Sequence, residues 1–302
     1  MKPDKLAAIR PKIASLDSMP TIPVIIHPLV KMLQTPPEEV NIEKVVELVS
    51  CDATIAAQCL RAANSPLFGR RHTETVRSAV LALGQKKIQS IVLACCLNQI
   101  VPPGKWVFDP ITYWRHSMGC ALISLRLAKL IGYPDPEKAY LAGLLHDIGI
   151  LVNTIACPKD LQRCMDAARE RQAPLHLVEQ ELLGFHHGQT GKLLAEHWRF
   201  PEDDLIVIEF HHHFAEAPRQ QPLLPLINLS DLLCRVCDLS HGYYEAIAVN
   251  LAEEPAWLAL VECFPELAKM DMARFTLDIE GAMDEIVATV NAVFAPKAAT
   301  HA

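Results

Sequence analysis

The sequence predicts an all-α protein, with a helical N-terminal lobe packed on a larger helical bundle. Two observations carry that expectation. Apolar residues recur at the three- and four-residue spacing of a helix face almost throughout, while strict alternation is nearly absent. Prolines 134, 136, 158, 174, 201, 222 and 225 fall between the periodic segments or in their first turns, where a missing N–H does no harm.

In chain order, "VNIEKVVELVSCD" places Ile42, Val45, Val46 and Val49 on one helix face. "ATIAAQCLRAAN" reads as a second short helix, closed by the turn-forming "NSPLFG" at 64–69, where Asn64 is expected to cap backbone groups and Gly69 to relax the exit. "RSAVLALG" and "KIQSIVLACCLNQIV" continue the period, and "VPPG" at 101–104 cannot. A boundary is placed there. Further helices are expected at 110–132, 136–156, 159–171, 174–183, 187–198, 202–213, 222–238 and 273–293. The division is therefore 1–103, an N-terminal helical lobe; 104–240, a bundle; and 241–302, a C-terminal helical extension able to cover the core or to self-associate.

Composition narrows the function classes. The 302 residues are 51% apolar with a net charge of −7, which disfavours DNA as a partner because no basic face would release counterions from phosphates. Ten cysteines, Cys95 and Cys96 adjacent, form no regular disulfide framework. The first twenty residues mix charges and prolines without a signal-peptide core, and no apolar run reaches the roughly 18 residues of a membrane span. A cytoplasmic protein with no membrane partner is expected.

The chemistry concentrates in "EKAYLAGLLHDIGILVN", residues 137–153. Burying His146 and Asp147 in so apolar a run costs several kcal/mol unless both find partners. Adjacent helical positions project about 100° apart, so the pair is able to address two neighbouring metals with the carboxylate between them. Other helices offer matching donors: His116 in "TYWRHSMGCALISLRLA", His187 in "ELLGFHHGQTGKLLAEHW", the run His211, His212 and His213, and Asp231 in "LINLSDLLCRV". Imidazoles and carboxylates without thiolates suit divalent transition metals, iron, manganese, nickel, cobalt or zinc, and two such ions suit hydrolysis at phosphorus.

The order His116, His146–Asp147, His187, His211–His212, Asp231 resembles the ligand order of the HD superfamily of metal-dependent phosphohydrolases, in its two-metal phosphodiesterase arrangement. "LDSMPTIPVIIHPLVKMLQTPPEEVNIEKVVELVSCDATIAAQCLRAANSPLFG", "AVLALGQKKIQSIVLA", "YWRHSMGCALISLRLA", "AYLAGLLHDIGIL", "LLGFHHGQTGKLLAEHWRFPE" and "IEFHH" together resemble the HDOD family, bacterial signal-output relatives of those enzymes, across roughly residues 15–240. The resemblance implies a bacterial signal-transduction protein with a dinuclear metal site, ligated by His116, His146, Asp147, His187, His211, His212 and Asp231, that acts mainly by binding. The alternative is an active two-metal phosphohydrolase or phosphodiesterase on a nucleotide or cyclic dinucleotide, with Asp147 as the bridging catalytic residue. Expected partners are an upstream or downstream signalling protein, a nucleotide or phosphate ligand, and a second copy of the chain.

Departures from the phosphodiesterase pattern favour binding. Ile150 stands where Lys follows "HDIG" in enzymes acting on cyclic dinucleotides. "HHHFAEAPRQQ" lacks the Glu and the "GYP" loop that follow the paired histidines there. No carboxylate lies within four residues before His116, so a third metal has no support. The remaining polar residues take ordinary roles: His213 solvated, His186 a non-ligating neighbour, His176 and His197 surface or capping residues. Cys234 and Cys237 read as core, and the pairs 70–71 and 86–87 as solvated charges.

Overall fold

Side-chain caps mark where several of the helices begin. The computed structural model describes residues 5–17, 27–33, 35, 39–50, 52–68, 72–101, 104–237, 239–240 and 250–294, and every regular element among them is helical. The first six are α1 (Arg10–Leu16), α2 (His27–Leu33), α3 (Ile42–Ser50), α4 (Ala53–Ala63), α5 (Val76–Leu83) and α6 (Gln85–Ile100). Asp52 opens α4 by accepting from the Thr54 and Ile55 N–H groups, and Thr75 opens α5 by accepting from Ser78. Such caps are each worth about 1 kcal/mol. Helices α3 to α6 pack together around Val45, Val49, Ile55, Cys59, Ile88 and Val92. Asn64 closes the turn as expected, exchanging two hydrogen bonds with the Thr73 backbone at 2.8 and 2.9 Å. Gly69, Arg70, Arg71, Pro102 and Pro103 lie outside the described residues.

The bundle follows as α7 (Pro110–Leu130), α8 (Pro136–Leu145), α9 (Ile148–Ala156), α10 (Pro158–Arg171), α11 (Leu175–Leu183), α12 (His187–His197), α13 (Glu202–Phe210) and α14 (Leu223–Val236). Helix α7 is its long central element, buried along most of its 21 residues and packed on α8, α14 and α16 (Met272–Val293). Two glycines allow close approaches between helices. A Cβ at Gly143 would lie 2.9 Å from the Cys120 carbonyl oxygen, and one at Gly149 would run into the His187 backbone. They bring α8 onto α7 and α9 onto α12. Helix α1 packs on α9 and α12, and α16 reaches α4, where Thr289 accepts from the Leu67 N–H at 3.1 Å.

Four expectations need correction. The single helix expected over 136–156 is two, α8 and α9, separated at His146 and Asp147. Asp147 has φ −99° and ψ 16°, off the helical path, because α9 must turn to meet α12 through Gly149. That same 136–156 segment is long and apolar enough to cross a membrane by composition, contrary to the reading of its runs, yet 89% of its apolar 18-residue window is buried inside the structure. An additional helix, α15 (Pro255–Cys263), sits where none was expected, with Pro255 in its first turn and Ala256, Trp257 and Leu260 buried. Finally, Lys86 and Lys87 are not simply solvated. They pair with Asp135 at 3.0 Å and Glu137 at 2.5 Å, fastening α6 to the start of α8.

Candidate metal centre

All seven residues singled out in the sequence meet at one buried centre. His116 comes from the middle of α7, and His146 and Asp147 from the break between α8 and α9. His187 is the first residue of α12, His211 and His212 follow α13, and Asp231 lies in α14. His116, His146 and His211 are fully buried, and Asp147, His187 and Asp231 nearly so.

The Asp147 carboxylate stands between two sets of imidazoles. Its Oδ1 is 3.0 Å from His187 Nε2 and 3.2 Å from His211 Nε2. Its Oδ2 is 3.1 Å from His146 Nε2 and 3.5 Å from His116 Nε2. Asp231 Oδ1 completes the second set, 3.3 Å from His116 Nε2. His212 joins the first, its Nε2 2.9 Å from His187 Nε2. Two donor groups result, Asp147 with His187, His211 and His212, and His116 with His146 and Asp231. Within each group all donor atoms lie within 4.8 Å of one another.

The outward nitrogens of these rings are already committed. Nδ1–H donates to a backbone carbonyl in His116 (Leu239, 2.6 Å), His146 (Gly143, 2.7 Å) and His211 (Ile208, 2.9 Å). A carbonyl can only accept, so in each neutral ring Nε2 is left with a lone pair facing the centre. His187 uses its Nδ1 on the Glu179 carboxylate at 2.6 Å. This is the outer arrangement that orients metal-binding imidazoles.

The donor set fits a pair of divalent ions. Donors at right angles around an ion about 2.1 Å away sit about 3.0 Å apart, the spacing found here. Three carboxylates, Asp147, Asp231 and Glu179, are buried together, and Arg235, 3.3 Å from Asp231 Oδ2, is the cation at their edge. Buried negative charge of that density calls for positive charge at its centre. The imidazoles report the same demand. Burial disfavours the charged form of His116, but Asp147 and Asp231 outweigh it and carry its pKa up to about 9. Burial is likewise outweighed at His187 by Glu179 and Asp147, which bring it to about 10. His211 and His212 go down, because burial and their neighbouring imidazoles prevail. Burial leads the shift that carries the Cys120 thiol up to about 11, which keeps thiolate chemistry away from this centre.

Several side chains at the centre were not singled out in the sequence. Glu179, on α11, accepts from both the Nδ1–H and the backbone N–H of His187, and Asn153 holds its other oxygen at 3.0 Å. Arg235 lies one helical turn after Asp231. His176, expected at the surface, is half-buried and stacks on His212 with ring centroids 3.9 Å apart, because the chain after α13 folds back over α11. His213 is also half-buried, edge-on to His176, rather than simply solvated. His186 caps α12, accepting from the Gly188 N–H, and His197 is exposed and bonded to Asp17. Cys234 is core, packed under His116, while Cys237 is half-buried. Ile150 is buried in α9, and Glu216 is exposed in a short turn at 214–216.

An all-helical fold enclosing a histidine–aspartate cage at a helix break defines an HD-type protein. The chain belongs to the HDOD domain family, whose model matches residues 19–214. It is similar over 97% of its length to the crystal structure of an HDOD domain protein of unknown function from Geobacter sulfurreducens, with a TM-score of 0.79, 25% identity and 99% of that chain covered. A provisionally assigned phosphohydrolase from Shewanella amazonensis SB2B is similar over 95% of this chain and 98% of its own, at 26% identity and a TM-score of 0.70. An uncharacterized protein of Treponema pallidum (strain Nichols) is 25% identical over 239 residues, 78% of this chain. The chain spans about half, 46%, of that curated relative.

Proposed function

We propose that the chain is a regulatory HDOD module that holds two divalent transition metals and acts mainly by binding. The observation that carries this reading is Asp147, whose two oxygens address two separate sets of imidazoles. His187, His211 and His212 would hold one ion, His116, His146 and Asp231 the other, with Asp147 shared. Two such ions, when bound, supply Lewis acidity toward a phosphate oxygen. The division into residues 1–103, 104–240 and 241–302, the signalling partner, self-association and a cytoplasmic location belong to this proposal.

The surroundings of the cage favour binding over turnover. Ile150 is a buried apolar residue where cyclic-dinucleotide phosphodiesterases carry a lysine, and the turn after His212 places its acid, Glu216, in solvent. Losing one charged contact to a transition state costs roughly 10²–10³ in rate. The competing reading, a working phosphohydrolase, draws support from the bridging position of Asp147. Metal analysis of protein purified without chelator or affinity tag, beside His146→Ala, tests the site. Two equivalents of metal in the unmodified protein and a marked loss in the variant are expected. Multiple-turnover hydrolysis of a phosphodiester panel, abolished in the variant, would promote the enzyme reading instead.

A further inference from the structure

A second concavity lies away from the cage, and none of the seven cage residues lines it. Helices α5 and α6 form one side, α16 the other and α7 the floor, enclosing about 570 Å³. Small-ligand sites occupy roughly 300–1,000 Å³.

Its walls carry opposite charge. Arg126 and Lys129 lie three residues apart on α7, both exposed, and among the described residues neither has a carboxylate partner. Asp278 and Glu285 face the cleft from α16, seven residues apart and so on one helix face, and they too lack a cationic partner among the described residues. The cleft keeps the two pairs from meeting. The cleft is also lined by Phe68, with the Lys87 ammonium 5.9 Å from its ring centroid, and by Leu277, an exposed leucine of α16.

Gly281 is the telling residue on the α16 wall. Glycine weakens a helix interior, and a Cβ here would meet nothing within 4 Å, so no neighbour requires its absence. Its effect is to leave the cleft open and the α16 backbone approachable.

We propose that this cleft binds an amino-substituted purine nucleoside phosphate. A phosphate monoester dianion matches Arg126 and Lys129, an aromatic base covers Phe68 and Leu277, and ring amino groups donate to Asp278 and Glu285. A purely apolar ligand would leave four charges against a dry surface. Inorganic phosphate alone would leave Phe68 and Leu277 uncovered. Because α7 also carries His116, about two turns before the floor residues, an occupant rests on the helix that builds the cage.

The test is calorimetric titration of the full chain, treated with EDTA, with AMP and with GMP. Dissociation constants of about 1 mM or tighter are expected. Arg126→Glu should weaken binding about tenfold or more, since it replaces attraction by repulsion at the phosphate. Gly281→Trp should remove binding while helical content and melting temperature hold, because Trp is the better helix former. Inorganic phosphate at equal concentration should not compete. Failure of both nucleotides to bind overturns the assignment. So does binding that needs added Mn²⁺ and survives Gly281→Trp, which would belong to the cage, or full affinity in Arg126→Glu.

Discussion

Glu179 holds His187 at two points. Its Oε2 accepts from the imidazole Nδ1–H at 2.6 Å and from the backbone N–H at 2.8 Å, while Asn153 fixes Oε1. The carboxylate therefore sets the position of the residue, the orientation of its ring and the basicity of the nitrogen that faces Asp147.

Replacing that carboxylate with an amide of equal size isolates the charge. Glu179→Gln should fold with unchanged helicity and lose about 10- to 100-fold in affinity for Mn²⁺ or Zn²⁺. Metal titration followed by calorimetry checks it. Unaltered affinity would mean that the carboxylate contributes packing alone.

Metal should also act on stability. The cage brings together groups that repel or stay poorly satisfied without a cation, so ions bind the folded chain far better than the unfolded one. At a free ion concentration 100 times the dissociation constant the gain is about 3 kcal/mol. Adding Mn²⁺ should therefore raise the melting temperature by several degrees and EDTA should reverse it. In His146→Ala the rise should shrink sharply.

Gly149 is the spacer that lets α9 lie on the first turn of α12, and any Cβ there meets the His187 backbone. Gly149→Ala should destabilise the protein by about 1–3 kcal/mol or more, as overpacking in a rigid contact does. Urea denaturation measures the loss. Because the same contact positions Asp147 against His187, metal affinity should fall in parallel.

Asp204, buried in the first turn of α13, gives a pH-dependent outcome. Burial pushes its carboxyl up to about 6, Lys138 opposes the rise, Asp203 adds to it, and its Oδ1 has no hydrogen-bond partner among the described residues. A carboxyl whose folded pKa lies above the unfolded value near 4 contributes stability at low pH, which is lost as pH rises from about 4 through about 6. Asp204→Asn should thus stabilise the protein at pH 8 by roughly 3 kcal/mol at most, and by about half as much at pH 5. Melting curves at the two pH values decide it, and an equal change at both would exclude titration of Asp204 as the cause.

The helical fold and the seven cage residues were legible because both rest on local pattern and chain order. Apolar periodicity is written residue by residue, and His146–Asp147 is conspicuous in so apolar a run. What was missed depends on contacts distant in sequence. "LLHDIGIL" contains nothing that must end a helix at the pair, and the break follows from docking α9 on α12. Glu179 sits in "HLVEQELL" beside Gln180 and Glu181, indistinguishable from a solvated acid until α12 brings His187 against it. His176 looks exposed until the segment after α13 lays His212 on it. The α15 helix is a different failure, since Glu254 followed by Pro255 and an apolar run is a readable helix start.

The break between α8 and α9 makes the histidine–aspartate pair a joint between two bodies. His146 rides on the helix clasped to α7, whereas Asp147 leads into the helix clasped to α12. Ions gripped from both sides would act as a rivet through that joint. With the rivet in place, α7 with α8 and α9 with α12 would be tied more tightly than by α13, which packs on both α8 and α12. A change in metal occupancy could then reach the surface of the molecule as a change in stiffness, with no bond in any substrate made or broken.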